Sequence, residues 1–344
     1  MATVRLILFI KLAIGCVIVC GLWTGSACAQ SSSPHREGLD LQHFRACFSK
    51  TELGVQAKEK FVRKRVRTFD KAALTDGLVD YAPVPQGLRG AIRRVTIADG
   101  RKLIALTLDM CEQNGEIAGY DGAILDFLRE QNVKATIFAG GKWMRSHASR
   151  TIQMIADPLF EMANHAQAHR NLRGLSGARL KAEVLGPQKA YEELRGKLAT
   201  NSCVSKIPGA LNAIPQRLGL FRFPYGACNP RSMQAVNDAG LLAIQWDVST
   251  GDPSPSASAN VISRAIVRGV KPGSIVIAHA NGRGVHTSKG LRKAIPKLKQ
   301  MGYEFVTVSE LLAAGKPEIV STCYNNRPGD TNQYDRFFAK RKRP

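Results

Sequence analysis

The chain of 344 residues carries 49 Lys and Arg against 27 Asp and Glu, a formal net charge of +22, while 44% of its residues are apolar. That length accommodates one large α/β domain plus an extension. The charge excess does not call for nucleic acid, because the N-terminus directs the chain out of the cytoplasm. It favours an anionic cell-envelope neighbour, such as wall polymer, lipopolysaccharide or a membrane surface, with a merely solvated basic face as the plain alternative.

Arg5 and Lys11 flank and interrupt an apolar run from Leu6 to Leu22, which ends in small residues and Ala27-Cys28-Ala29. A basic start, an apolar middle and an A-x-A end describe a signal peptide over residues 1–29, cleaved before Gln30. Lys11 leaves the run short of the roughly 20 apolar residues that a membrane anchor needs, so no integral span is expected after cleavage. Gly25-Ser26-Ala27 also lacks the bulky apolar residue expected ahead of a lipidated Cys28. The exported chain, periplasmic or extracellular, keeps about 315 residues, a charge of about +20 and five cysteines: Cys47, Cys111, Cys203, Cys228 and Cys323. An oxidising compartment favours pairing among them, and an odd count leaves at least one free.

Residues 30–92 are polar and basic, with a helix predicted over 58–67 and Pro83 and Pro85 as punctuation. They read as an extension packed on the main domain, a mobile linker being the alternative. Residues 93–97 alternate like a strand, and Asp99-Gly100 signals a tight turn. Apolar, strand-like runs then recur at 103–109, 134–139, 160–164, 220–224, 242–248, 274–279 and 304–308. Helix-like stretches lie between them, among them 123–130, 176–198, 231–239, 256–267 and 288–301. Alternating β and α elements imply parallel strands with right-handed crossovers. Seven such strands, one short of the eight-stranded barrel, predict an α/β fold: a distorted seven-stranded (β/α) barrel over residues 93–315 behind an N-terminal extension. An open doubly wound sheet is the runner-up. Residues 316–344 read as a tail with a frayed basic end at 340–343.

The unusual polar residues fall at strand ends. Asp109 ends the first buried run; His165 ends the third, with His169 four residues on. Arg222 to Gly226 close the fourth, Asp247 and Asp252 follow the fifth, and His279 ends the sixth. In parallel β/α architectures the carboxyl ends of the strands form one face, and active sites sit there. A single histidine at a strand end is ordinarily structural. Five termini delivering Asp, His, Arg, Asp and His to one rim predict a single pocket.

These residues resemble the motifs of the polysaccharide deacetylases of carbohydrate esterase family 4, the NodB homology domain, in the family's order over roughly residues 102–315. The family's T-F-D-D is here Thr107-Leu108-Asp109-Met110, and its H-x-x-x-H is His165-Ala166-Gln167-Ala168-His169. R-x-P-[FY]-G is Arg222-Phe223-Pro224-Tyr225-Gly226, the acidic stretch is Trp246 to Asp252, and the strand ending in His is Ile275 to His279. The resemblance implies an exported hydrolase of linear amides that removes N-acetyl groups from an amino-sugar polymer or oligomer, peptidoglycan or chitin-like. It also implies a divalent metal, with zinc expected, on His165 and His169. Asp109 would take the proton of water, Arg222 would hold Asp109 ionised, and the Tyr225 N–H would join the oxyanion hole. His279 would protonate the leaving amine, kept charged and oriented by Asp252, with Asp247 as a substitute. Pro224, Tyr225 and Trp246 would line the substrate site; core packing is the plainer role for Trp246 and Trp143.

Two departures from the family pattern stand out. Met110 occupies the place of an acidic metal ligand, and a thioether suits such a metal poorly. Glu112 could swing in as third ligand, Asp109 could ligate directly, or the site could hold metal weakly or not at all. Cys111 and Cys228 follow the first and third motifs, and a disulfide between them would staple two rim loops; thiolate ligation by Cys111 is the lesser alternative. The Gly-rich loop 280–284 reads as a βα connection or as a cradle for a polar substrate group. A metal-independent amide hydrolase of the same fold and a non-catalytic wall-binding protein are the competing functions.

Overall fold

A computed structural model describes residues 40–56, 59–66, 81–212 and 214–335. The expected signal peptide and the basic end at 340–343 lie outside the described residues. Among the described residues there are twelve strands: β1 Arg63–Lys64, β2 Ala91–Thr96, β3 Leu103–Met110, β4 Glu116–Ile117, β5 Ala135–Ala139, β6 Phe160–Asn164, β7 Leu220–Phe221, β8 Leu242–Ile244, β9 Val248–Ser249, β10 Ile275–His279, β11 Glu304–Val306 and β12 Lys316–Val320. The main sheet runs β12-β2-β8-β7-β6-β5-β3-β10-β9, and β11 pairs with the first half of β3. Every pairing in it is parallel except β12 with β2.

All seven apolar runs contain a strand of this curled sheet. The wall nevertheless differs from the predicted one. β2 does not fold back on β3 through Asp99-Gly100; it runs parallel to β8 and takes β12 on its other side. Residues expected in a tail therefore complete the sheet. The run 242–248 divides into β8, which pairs with β2 and β7, and β9, which pairs with β10; between them the Asp247 carboxylate accepts from the Ser274 hydroxyl and the Ile275 N–H, both at 2.8 Å. The predicted helix at 58–67 is absent from its described part, residues 59–66. Pairing of Arg63 and Lys64 with Ile117 and Glu116 outweighs local helical preference there.

Strand alternation divides two cores. On β3, Leu103 and Ala105 face the barrel interior with Phe138, Ala163, Leu220, Ile244 and Ile277. Ile104, Leu106, Leu108 and Met110 face outward, into the layer between sheet and helices. The period of two then turns Thr107 and Asp109 inward. Helices cover the outer face where predicted, among them Gly122–Glu130, Gly177–Ala199, Pro230–Asp238, Ala259–Gly269 and Thr287–Gln300. Their starts follow from sequence: Asn229 and Ser232 form a capping box with Pro230 in the first turn, and the Ser258 hydroxyl accepts from the Val261 N–H.

The extension is packed on this domain. Cys47 is bonded to Cys203 across a separation of 156 residues. Arg150, 3% exposed, donates to the Leu53 and Gly54 carbonyls and pairs with Glu59 at 2.7 Å. The Lys60 carbonyl wedges between two rim loops: an added Cβ at Gly119 or Gly282 would lie 2.1 or 2.2 Å from it, so only glycine fits at either position. A second disulfide, Cys228–Cys323, ties the fourth-strand loop to the segment after β12.

Candidate active site

Parallel register brings the predicted residues to one rim. His279 lies opposite Asp109, Asp109 opposite Phe138, and Asn164, which precedes His165, opposite Phe221, which precedes Arg222. Asp109, His165 and Arg222 are each at most 3% exposed. Arg222 donates from Nη1 to Asp109 Oδ1 at 2.8 Å and to the Thr107 hydroxyl at 2.6 Å. Its other nitrogens reach the Ile244 and Gln245 carbonyls, and the guanidinium lies 3.9 Å from the Phe138 ring centre. This fully buried cation, fixed on four sides, leaves Asp109 little freedom. The second oxygen, Asp109 Oδ2, sits 3.4 Å from His165 Nε2.

The tautomer of His165 follows from its other nitrogen. Nδ1 lies 2.9 Å from the Arg222 carbonyl, which can only accept, so Nδ1 carries the proton and Nε2 presents a lone pair in the neutral ring. Burial pushes this imidazole below its ordinary pKa, against the upward pull of Asp109. Burial, reinforced by His165, Arg283 and His279, holds His169 far below its own. His169 has φ +50 and its ring centre is 4.9 Å from that of His165. His165 Nε2 and His169 Nδ1 are both buried without a hydrogen-bond partner.

One ligand atom from each of Cys111, His165 and His169 lies within 4.8 Å of the others. Two orphaned imidazole nitrogens and a buried thiol are a donor set that fits a divalent metal. Cys111 is free, so the expected Cys111–Cys228 staple is not formed: Cys228 is taken by Cys323. Burial pushes the Cys111 thiol up to about 12. Glu112 does not supply the expected third ligand either. It turns away from the pocket to pair with Lys142, and accepts from the Ser146 hydroxyl at 2.7 Å and the Ala118 N–H at 3.0 Å. Met110, 0% exposed, is outer-core packing.

Across the pocket, His279 Nδ1 lies 2.9 Å from Asp252 Oδ1. Asp252 also accepts from the His279 N–H at 2.8 Å, the Thr250 hydroxyl at 2.9 Å and the Thr287 hydroxyl at 2.6 Å. Burial alone would raise the Asp252 carboxyl, but His279 and these donors hold it below its ordinary value. Burial likewise works against a charged His279, yet the Asp252 charge and hydrogen bond prevail and raise its pKa. Asp252 is therefore the partner of His279. Asp247, the named substitute, is engaged at the opposite end of β10 through Ser274 and Ile275.

Tyr225 has φ +61 within a one-turn helix Pro224–Gly226. Its ring stands 4.4 Å from that of His169 and 5.0 Å from that of Tyr334, and its hydroxyl accepts from Gln113 at 2.8 Å. Pro224 is buried at the start of this turn. Trp246, 3% exposed and beside the Arg222 guanidinium, offers no face to a sugar and is a packing residue. Trp143 is likewise core, with its N–H bonded to the Gly119 carbonyl. The loop after β10 is structural: Asn281 donates to the Cys111 carbonyl at 2.8 Å and Arg283 pairs with Glu116. A groove of about 1020 Å³ runs from Gln113, His169 and Tyr225 past Arg170, Arg173 and Arg179. Sequence reasoning missed Thr107, Thr250, Thr287 and Asn281. Thr107 and Thr250 had a visible signal, each two residues before an aspartate, and Thr107 also opens the first motif.

A curled parallel sheet with paired histidines, a tethered aspartate and a carboxylate-held histidine at one rim defines a hydrolase of the polysaccharide deacetylase class. The polysaccharide deacetylase family profile matches residues 96–244. The chain is 29% identical over 219 residues to a peptidoglycan-N-acetylglucosamine deacetylase of Bacillus cereus, covering 63% of this chain and 91% of that one. It is 30% identical over 180 residues to a chitooligosaccharide deacetylase of Rhizobium leguminosarum bv. phaseoli, covering 52% and 69%. A solved structure of similar fold, a family 4 carbohydrate esterase pseudoenzyme from Bacillus anthracis, superposes with a TM-score of 0.52 at 25% identity, over 67% of this chain and 72% of that one. The chain belongs to the polysaccharide deacetylase family. Asp252 and His279 lie beyond the profile match, so their pairing rests on the geometry above.

Proposed function

We propose that the protein is an exported, metal-dependent deacetylase that hydrolyses N-acetyl groups of an amino-sugar polymer. The observation that carries this reading is the convergence of Asp109, the His165/His169 pair and the Asp252–His279 pair on one pocket. In the pocket, Asp109 Oδ2 accepts a proton from water as that water attacks the acetyl carbonyl. Arg222 keeps the carboxylate aimed, holding Oδ1 at 2.8 Å. The Tyr225 N–H bonds the developing oxyanion. His279 is oriented through Nδ1 by Asp252, so its Nε2–H is delivered to the amine as the C–N bond breaks, giving acetate and a free amino sugar. A divalent metal, zinc by expectation, on His165 and His169 would polarise the carbonyl and lower the pKa of water beside Asp109.

Arg170 and Arg179 along the groove favour an acidic glycan such as peptidoglycan over neutral chitin-like oligomers, whereas Arg173 is paired with Asp335. Two disulfides support an oxidising compartment, periplasmic or extracellular. No helix among the described residues is long and apolar enough to cross a membrane. Acetate release from peptidoglycan and from N-acetylglucosamine oligomers, with and without chelator, tests the proposal. It requires loss with chelator and in folded Asp109→Asn and His165→Ala. Activity indifferent to chelator would instead favour a metal-independent amidase of the same fold.

A further inference from the structure

Asp109, not its neighbour Met110, faces the pocket, because residues on β3 alternate sides. One residue beyond Met110 the chain turns inward again, and there it carries a cysteine whose ligand atom lies within 4.8 Å of both imidazoles. We propose that Cys111 is the third metal ligand, giving a two-nitrogen, one-sulfur site that selects zinc over magnesium, calcium or manganese. This rests on the reading that His165 and His169 hold a metal.

Four observations carry the assignment beyond the presence of a thiol. His165 Nε2 and His169 Nδ1 are buried and unpartnered, and the cysteine shares the space that they enclose. Asn281, itself buried, donates from Nδ2 to Cys111 Sγ at 3.3 Å while holding the Cys111 carbonyl at 2.8 Å. That contact orients the sulfur and places an N–H against it, as outer partners do for ligating groups. The other four cysteines of the exported chain are consumed in Cys47–Cys203 and Cys228–Cys323, which leaves Cys111 reduced in an oxidising compartment. The rival acid, Glu112, is saturated by Lys142, Ser146 and the Ala118 N–H.

Thiolate and imidazole donors suit zinc and cobalt, whereas magnesium, calcium and manganese favour carboxylate, carbonyl and water oxygens. On binding, the thiol gives its proton to solvent as the sulfur–metal bond forms.

The test is cobalt titration of the mature, disulfide-intact chain after removal of bound metal, followed by absorption spectroscopy. The expected result is one Co²⁺ per chain with an intense near-ultraviolet sulfur-to-cobalt charge-transfer band, displaced by Zn²⁺ and not by excess Mg²⁺ or Ca²⁺. Cys111→Ser should abolish the band and weaken cobalt binding at least about 100-fold, the upper range for losing a mere outer partner. Zinc-edge X-ray absorption on the unmutated protein should give one sulfur at about 2.3 Å, which removes any dependence on the variant's folding. Stoichiometric cobalt that depends on His165 but shows no charge-transfer band and no zinc–sulfur distance would overturn the Cys111 assignment and leave the histidine pair standing. Absence of any His165-dependent binding would overturn the metal reading and this inference together.

Discussion

Replacing Asp252 by Asn separates an oriented, charged proton donor from a histidine that is merely nearby. The change keeps shape but exchanges one carboxylate oxygen for an N–H₂ group. Each oxygen has two donors on the protein, His279 Nδ1 and Thr250 on one, the His279 N–H and Thr287 on the other. Whichever way the amide turns, one N–H of His279, from Nδ1 or the backbone, meets the amide N–H₂ donor to donor, while the threonine hydroxyl on that side can turn to accept. The negative charge that raises the His279 pKa is also gone, leaving burial to lower it. General acid catalysis contributes about 10²–10⁴ in rate, or about 3–5 kcal/mol of barrier. We expect kcat to fall within that range with little change in KM. The alkaline limb of the pH–rate profile should move to lower pH, because the donor loses its proton earlier. A folded Asp252→Asn enzyme with an unshifted alkaline limb would refute the assignment of His279 as the acid held by Asp252. The sign extends to stability. The His279 contribution is complete below its unfolded pKa near 6.5 and fades as pH rises through the raised folded value, while the Asp252 contribution fades as pH falls through its depressed value. In Asp252→Asn the Asp252 slope should vanish and the His279 slope should reverse in urea unfolding measured across pH, because burial then favours the neutral ring.

Four further outcomes follow from the geometry. Glu112→Gln should leave metal stoichiometry unchanged yet cost about 3–5 kcal/mol in denaturant unfolding, because it strands the buried Lys142 ammonium; loss of metal without loss of stability would return Glu112 to the ligand set. Non-reducing peptide mapping should recover Cys47–Cys203 and Cys228–Cys323, with Cys111 alkylated only after denaturation. Loop-closure entropy over 156 residues sets the first bond at roughly 5 kcal/mol, so Cys47→Ala with Cys203→Ala should lower the melting temperature by several degrees. Gly119→Ala should make residues 40–66 accessible to limited proteolysis, since the new Cβ meets the Lys60 carbonyl at 2.1 Å; unchanged digestion would show that the extension is held elsewhere.

The polar strand ends were legible because a parallel sheet leaves one rim for every such residue, and apolar runs mark the strands without knowledge of their neighbours. Asp109, His165, His169, Arg222, Asp252 and His279 all meet as the sequence implies. What escaped depended on partners distant in the chain. Arg63 and Lys64 become a strand only because Glu116 and Ile117 are beside them. β12 reads as tail until β2 offers an edge. The cysteine pairing and the capture of Glu112 by Lys142 are equally non-local, and neither spacing nor composition encodes them. Trp246 lies in the inner core, which was the plainer reading of it from sequence.

The extension's wedge joins two otherwise separate halves of the rim. The Lys60 carbonyl touches Gly119, in the loop after β3, and Gly282, in the loop after β10. These loops carry Cys111 with Glu116 on one side and Asn281 with Arg283 on the other. A protein begun at β2, without residues 40–66, would thus lose the keystone between the thiol-bearing arm and the arm that steadies it. Recombinant versions cut at that boundary should fold around an intact Arg222–Asp109 centre while assembling the corner of Cys111, His165 and His169 poorly.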